Sequence, residues 1–279
     1  MKKITILLGF IVLVSGLTAQ EEKKPVKNVF MGTRFINLHS ANVPAKNELQ
    51  MLIQHRFGDI SGGFYDFFGL DYASMRLGFE YGITNDLNLG IGRSNYRKTF
   101  DSFFKYRFLE QSGSMPIALT ATITGSFPTI KDDLIPAEHG DFTEKASGNV
   151  QFHIAKSFKS FGFQVSPGYF GSGYFPDENN NYASHSFFTL GFGGTARLAK
   201  KVTFNIEYLY RFEDEIENTN PMSASIDIGT SGHLFQIMLS NVQQMYDQGI
   251  ITNPSGGNWK KGHIFLGFNL IRAFNFKQY

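Results

Sequence analysis

The stretch DYASMRLGFEYGI, from Asp71 to Ile83, alternates between apolar residues and polar or small ones. Its apolar series is Ala73, Met75, Leu77, Phe79, Tyr81 and Ile83. Its polar or small series is Ser74, Arg76, Gly78, Glu80 and Gly82. Because successive side chains of a β-strand point to opposite faces, this pattern predicts a strand with one apolar and one polar face.

The same alternation returns along much of the chain, for example from Val202 to Phe212, where Leu209 interrupts the polar series. Many such segments on one chain predict an all-β fold, a transmembrane antiparallel β-barrel of about twelve strands. The candidate strands are 29–39, 48–57, 71–83, 87–96, 100–109, 116–127, 147–158, 161–175, 184–198, 202–213, 225–240 and 262–277.

The connections between these strands alternate in length. Residues 84–86 and 199–201 form tight turns, whereas 128–145 and 213–221 form longer acidic loops. Short periplasmic turns and longer outer loops are typical of outer-membrane barrels. With twelve strands counted this way, however, both chain termini fall on the outer rim. Either an end strand is miscounted or a segment crosses the lumen, and 241–259 is the candidate; an ordinary loop is the alternative.

The first residues have the pattern of a secretory signal peptide. Lys2 and Lys3 precede an apolar run over residues 4–17, and Ala19 offers a cleavage site before Gln20. A membrane-anchoring helix is the alternative, but the apolar run is shorter than the roughly 20 residues needed to span a bilayer. We therefore expect export and location in the outer membrane, with 1–19 as signal peptide, 20–28 as a periplasmic lead-in and 29–279 as one barrel domain.

The composition agrees with a barrel and narrows the partners. Aromatic residues make up 15% of the chain, and there are 29 Gly and no Cys. The absence of Cys excludes a lipid-acylated cysteine and disulfides. A net charge of only +2 gives no reason to expect nucleic acid. The expected partners are outer-membrane lipid and a small solute, and the oligomeric state stays open.

The polar faces of the strands supply candidate lumen residues of both charges. They are Arg56, Arg76, Glu80, Lys105, Arg107, Arg197, Glu207 and Arg211. In a narrow barrel such residues either pair with each other to satisfy buried charge or line a selective pore.

Two further contacts are predicted. Arg56 ends one strand and Asp71 opens the next, so the two are expected to pair and pin the loop between them. His233, Asn241 and Trp259 are expected to contact the segment that plugs the barrel, with His233 in the middle of a strand.

No catalytic or cofactor-binding pattern is present. The sequence has no G-x-S-x-G elbow and no H-E-x-x-H, and we expect no metal or cofactor. His185 and Ser186 are adjacent, so they point to opposite faces of a strand and cannot pair. The favoured function is a porin-like or solute-binding channel without catalysis. A plugged structural or partner-binding barrel is the alternative, and an outer-membrane lipid-modifying enzyme is the third.

Several short strings resemble an outer-membrane β-barrel family of Bacteroidota-type bacteria. They are His55-Arg56-Phe57-Gly58, Phe68-Gly69-Leu70-Asp71, Glu80-Tyr81-Gly82-Ile83-Thr84, Gly232-His233-Leu234-Phe235-Gln236 and Gly267-Phe268-Asn269-Leu270-Ile271-Arg272. The resemblance covers nearly all of the chain from about Asn28 onward. It implies an outer-membrane barrel and transfers no substrate or functional residue.

Overall fold

The computed structural model describes residues 30–130, 145–173, 175–176, 182–213 and 219–276. The predicted signal peptide over 1–19 and the lead-in over 20–28 lie outside these residues. In the part of the chain that is described, no helix is long and apolar enough to cross a membrane.

Twelve antiparallel strands close into a barrel, which confirms the predicted fold. They are β1 (Glu48–Asp59), β2 (Ala73–Gly82), β3 (Leu87–Ser94), β4 (Thr99–Leu109), β5 (Ala118–Pro128), β6 (Ser147–Ser157), β7 (Phe161–Ser172), β10 (Ser186–Ala199), β11 (Val202–Arg211), β12 (Met222–Gly229), β13 (His233–Ser240) and β14 (Phe265–Asn275). A separate two-stranded ladder joins β8 (Phe175–Pro176) to β9 (Tyr182–Ala183). The last strand pairs with the first, from Glu48 opposite Asn275 to Asp59 opposite Phe265.

The alternation of the sequence sorts side chains into the two faces of this wall. Along β2, Ser74 and Arg76 are buried inside the barrel, whereas Met75 and Leu77 are exposed on the outside. The register places Arg76 opposite Gln54 of β1, so inward polar residues of neighbouring strands meet. The outer face is apolar, as a lipid-facing band requires.

The strand count of twelve is right, but two of the segment predictions behind it are wrong. Residues 29–39 are not a wall strand, because the described part of this segment lies inside the barrel. The predicted strand 225–240 is in fact two strands, since the chain turns at 230–232, where the amide of Thr230 donates to the carbonyl of His233. One predicted strand is lost and one is gained, so the total number of strands stays at twelve.

This correction removes the conflict over the termini. Strand β1 now begins, and β14 ends, at the rim that carries the tight turns 83–86, 158–160, 200–201 and 230–232. We call this the short-turn rim and the opposite one the loop rim. In an outer-membrane barrel the short-turn rim faces the periplasm.

Two stretches of chain fill the interior. The first, residues 30–47, enters from the short-turn rim and is named here the N-terminal plug segment. The second, residues 241–264, links β13 to β14 at the loop rim and is named the inserted loop. It contains the short helix α1 (Asp247–Thr252), whose last five residues are buried.

Candidate functional site

The predicted lumen residues occupy two different places. Arg56, Arg76, Glu80, Lys105, Glu207 and Arg211 are buried inside the barrel. Arg107 and Arg197 lie at the short-turn rim, where Arg107 pairs with Asp86 and Glu110. The buried six contact the two lumen segments, each other or neighbouring wall residues.

The tip of the N-terminal plug segment is a tight turn. Arg34 and His39 form an antiparallel bridge, and the amide of Phe35 donates to the carbonyl of Leu38 at 2.9 Å. Such a turn leaves several backbone groups without partners of their own. Since buried backbone groups need hydrogen bonds, the wall has to supply them.

Glu207 of β11 satisfies three consecutive amides of this turn. Its carboxylate accepts from the backbone N–H groups of Ile36 at 3.2 Å, Asn37 at 3.0 Å and Leu38 at 3.0 Å. Successive backbone N–H groups that converge form an anion-binding concavity. The plug segment therefore presents an anion site, and a wall carboxylate occupies it.

Lys105 of β4 does the same for the carbonyls of the plug segment. Its ammonium donates to the carbonyl oxygens of Thr33 at 2.9 Å, Ser40 at 3.1 Å and Asn42 at 3.2 Å. A lysine has three N–H donors, and all three are used here. Because Thr33 precedes the turn and Ser40 follows it, the lysine joins the two arms of the segment.

Side chains of four other strands complete this binding of the backbone. Gln164 accepts from the amide of Ala41 and donates to the carbonyl of His39, each at 2.8 Å. The carbonyls of Phe35, Ile36 and Ala41 accept from side chains on three further strands, namely Gln236, Asn269 and Thr120. The wall thus binds many of the peptide groups of this segment.

The predicted pair of Arg56 and Asp71 does not form. Arg56 points into the lumen, where it donates to the side-chain oxygens of Asn37 at 2.8 Å and Asn269 at 2.9 Å. Asp71 is exposed on the loop outside the barrel. Inward and outward positions alternate along β1, so Arg56 cannot reach a loop beyond the rim.

The loop after β1 is fastened by a different contact. The carboxylate of Asp59 lies 2.5 Å from Nδ1 of His263, and the amide of Ile60 donates to the carbonyl of Ile264. Ser61 also approaches Nδ1 of His263, at 3.3 Å. A Ser–His–Asp triad uses both ring nitrogens, one for each partner. This cluster uses one nitrogen for both, so it is a structural contact.

Arg76 and Glu80 belong to buried charge pairs. Arg76 makes a two-point contact with Asp101, at 2.8 and 2.5 Å, and donates to Gln54 at 2.6 Å. Glu80 lies 3.7 Å from Arg34 of the plug segment. Removing one partner of a buried pair costs about 3–5 kcal/mol, because the other charge is left uncompensated.

The inserted loop makes an apolar contact with the wall. Val242, Ile250 and Ile251 pack in one cluster with Phe170, Phe187 and Leu209 of the wall and Leu38 of the plug segment. Arg211 adds a polar contact, donating to the carbonyls of Ile251 at 3.1 Å and Thr252 at 3.3 Å. A cation at the C-terminal end of α1 meets carbonyls that have no helical partner.

Two of the three predicted plug contacts lie at the base of the inserted loop. Asn241 is fully buried, accepts from the amide of Met222 at 2.7 Å and donates to the carbonyl of Gly257 at 3.1 Å. Trp259 donates its indole N–H to the carbonyl of Met222 at 2.9 Å. His233 lies instead at the short-turn rim beside Arg272, because it begins β13 rather than occupying mid-strand.

Asp247 connects the two lumen segments. It accepts from Thr124 and Asn149 of the wall, each at 3.1 Å. Its other carboxylate oxygen lies 3.8 Å from the guanidinium of Arg34 and 3.7 Å from the ring of His39. Burial, followed by the charges of Arg34 and Lys105, lowers the pKa of His39 well below its usual value. Burial and the neighbouring cations therefore favour the neutral imidazole, although the contact with Asp247 alone would favour the charged one.

Sequence reasoning identified the polar lumen residues and missed what they bind. One sequence signal of a filled lumen was Leu209, the apolar exception on a polar strand face. This residue packs against the inserted loop. Another was Gly193 of β10. A Cβ at this position would lie 2.5 Å from the ring of Phe35, so the glycine makes room for the plug segment.

Two cavities flank the filled interior. A cavity of about 320 Å³ at the short-turn rim is lined by residues including Glu48, Arg107 and Glu110. A second, of about 690 Å³, opens at the loop rim beside Asp59 and Gln243. Among the described residues, no group of three or more His, Asp or Glu side chains is placed to hold a metal ion.

Solved structures share the architecture of this barrel. The NanC porin aligns over 82% of this chain and 100% of its own length, with 10% identity and a TM-score of 0.51. An outer-membrane channel, COG4313 from Pseudomonas putida F1, covers 83% of this chain and 97% of its own, with 12% identity and a TM-score of 0.47. At such low identity the likeness concerns the fold alone.

No curated protein is significantly similar in sequence. A family profile described as a membrane-bound β-barrel domain, DUF5777, matches residues 30–274. This match confirms the barrel family that the short strings indicate. The chain belongs to the DUF5777 family of membrane-bound β-barrel domains.

Proposed function

We propose that the protein is a gated channel of the outer membrane that is closed in this state by the N-terminal plug segment. The observation that carries the proposal is the way in which the wall binds the segment. Glu207, Lys105, Gln164 and other polar side chains of the strands bind its backbone. The inserted loop narrows the lumen, and the plug segment closes it.

A polar contact of this kind is suited to reversible release. Water can replace each hydrogen bond when the segment leaves, so a typical bond contributes only about 0.5–1.5 kcal/mol net. The wall left behind carries Arg56, Arg76, Glu80 and Lys105, which are stable in a water-filled lumen. Polar lumens filled with water are typical of porins.

The primary test is removal of the plug segment. A variant lacking residues 30–44 should still migrate as a heat-modifiable barrel, because β1 begins at Glu48. In planar bilayers we expect it to conduct in steps, whereas the chain with the segment in place stays closed for most of the recording. A variant that is folded and electrically silent would contradict the proposal.

A disulfide lock provides the matched control without deleting anything. The chain has no Cys, so a single pair can be introduced cleanly. Asn37 and Ser223 are suitable, since their side chains are hydrogen-bonded at 2.9 Å. The Asn37→Cys/Ser223→Cys variant should be closed when oxidised and show openings after reduction. Equal conductance in the two states would mean that the segment is not the gate.

A permanently plugged structural barrel is the second candidate. The apolar cluster that holds the inserted loop favours it, because such packing resembles a fixed core. This candidate predicts silence in both the truncated and the reduced variant. We propose no catalytic role, since His153, the one ring among the described residues with a hydroxyl hydrogen-bonded at each nitrogen, lies fully buried between Thr122 and Ser166 of the lumen wall.

A further inference from the structure

The larger cavity lies at the loop rim, between the loop that follows β1, the turn that follows β3 and the inserted loop. Its volume is about 690 Å³, and Asp66, Tyr72, Tyr96 and Gln243 are among its lining residues. This volume falls in the range of small-molecule sites, about 300–1,000 Å³. The proposed channel does not require this cavity to bind anything.

The charge of the cavity lining is one-sided. It contains two carboxylates, those of Asp59 and Asp66, and no Lys or Arg. The carboxylate of Asp59 is used by His263 and by the amide of Ser61. That of Asp66 makes no hydrogen bond or ion pair with any residue that the structure describes. It lies against Gly62, whose lack of a side chain leaves room for it in this position.

The rest of the lining combines three aromatic residues, Tyr72, Tyr96 and Phe265, with small and amide residues. Tyr96 is partly buried, and its amide donates to the hydroxyl of Ser94 at 3.2 Å. Gln243 donates its side-chain amide to the carbonyl of Phe57 at 2.9 Å. Tyr72 stands at the mouth, 65% exposed. The cavity therefore exists before any ligand arrives.

We propose that this cavity binds an organic ammonium ion. An unpaired carboxylate offers a charge-assisted contact, and tyrosine rings attract a cation through their negative faces. Anionic solutes are repelled by Asp66, and a neutral solute gains no charge–charge attraction from it. The cavity opens at the loop rim, so the ion arrives from the side opposite the chain termini.

The test is a calorimetric titration of the purified full-length barrel in detergent with choline. The neutral carbon isostere 3,3-dimethylbutan-1-ol serves as the uncharged probe. Asp66→Asn and Tyr72→Ala should each weaken choline binding at least tenfold and leave the weak binding of the alcohol unchanged. Asp71→Asn is the matched control, because Asp71 is exposed in the same loop and does not line the cavity.

Three results would overturn the proposal. They are the absence of saturable choline binding, equal affinity for choline and the alcohol, and equal losses in Asp66→Asn and Asp71→Asn. Heat-modifiable migration of every variant verifies that the barrel is intact. Because binding is measured on the closed barrel, a negative result here leaves the channel proposal untouched, and silent bilayers leave this one untouched.

Discussion

The two segments inside the barrel are held by a different balance of contacts, although each has both polar and apolar ones. The N-terminal plug segment is held through its peptide groups by charged and amide side chains, with Glu207 and Lys105 at the centre. The inserted loop buries an apolar cluster, in which Ile250 and Ile251 pack on Phe170 and Leu209, and it adds hydrogen bonds at its base through Asn241 and Trp259.

The difference indicates which segment can move. Hydrogen bonds to a polar wall can be exchanged for water at small net cost, whereas an apolar cluster loses its packing outright. We therefore infer that the plug segment is the mobile part and the inserted loop the fixed part. Asp247 of the inserted loop lies within 4 Å of both Arg34 and His39 of the plug segment, so the two segments are in contact.

The largest expected effect is on the fixed part. Ile250→Ala removes most of a fully buried side chain from the apolar cluster. We expect the inserted loop to lose about 3 kcal/mol of local stability, which accelerates amide exchange of α1 roughly a hundredfold. Hydrogen exchange at Ile250 and Asn253, whose amides donate within the loop, measures this.

The matched control for that variant is Ile237→Ala. Ile237 has the same side chain but lies 57% exposed on the outer face of β13. It should leave exchange in the inserted loop unchanged. If both variants accelerate exchange alike, the loop is not held by its own cluster and the comparison fails.

The next largest effect is expected on docking of the plug segment, and it tests the contact of Glu207 apart from the apolar cluster of the inserted loop. Glu207→Gln keeps the shape of the side chain and removes the charge that faces three amides. Because hydrogen bonds to a charged group contribute about 1.5–3 kcal/mol, we expect docking of the plug segment to weaken by about 2 kcal/mol. Amide exchange at Ile36, Asn37 and Leu38 should rise roughly thirtyfold, with α1 unaffected.

Asp227→Asn provides the comparison for this variant. Asp227 is also a buried carboxylate of the wall, but it acts on the plug segment only indirectly, since its hydrogen bonds run to Ser225 and to Gln236, which in turn donates to Phe35. The change should release the plug segment much less than Glu207→Gln does. Equal release would show that any loss of lumen charge loosens the segment.

The wall of this molecule could be predicted because a barrel strand has a local pattern. Residues two apart share a face, so Arg76 and Glu80 could be assigned to the lumen from DYASMRLGFEYGI alone. The error at 225–240 arose because the tight turn at 230–232 has apolar-rich strands on both sides and keeps the alternation almost unbroken. No Pro or Asn-Gly pair marks that turn.

The contents of the lumen could not be predicted, because their partners are distant in sequence. The amides of Ile36 and Asn37 are satisfied by Glu207, about 170 residues further along. When the backbone of a segment is hydrogen-bonded to side chains rather than to a neighbouring strand or helical turn, its sequence has no regular alternation from which to predict it. The filled lumen is indicated only by wall residues that depart from the polar inward pattern, such as Leu209 and Gly193.

The smallest effect is a pH dependence of the plug segment alone. His39 is buried against Arg34, Lys105, Arg76 and His153, and burial with these positive groups lowers its pKa despite Asp247 at 3.7 Å. In the released segment the ring has its ordinary pKa of about 6.5. The released segment therefore binds a proton on His39 that the docked segment does not bind. Docking of the plug segment consequently weakens as pH falls below about 6.5 and is constant above about 7.5.

Because this effect involves at most one proton, the docking equilibrium changes by at most about tenfold for each pH unit. Protease cleavage within residues 30–47, measured from pH 7.5 to 5.5, should rise accordingly in the unaltered chain. His39→Gln should flatten the profile while cleavage of the inserted loop stays constant in both proteins. An unchanged slope in His39→Gln would assign the proton to another lumen group, with His153 the nearest candidate at 6.3 Å between ring centres. A rise in both segments together would mean that they move as one unit, and the division between a mobile and a fixed part would then be wrong.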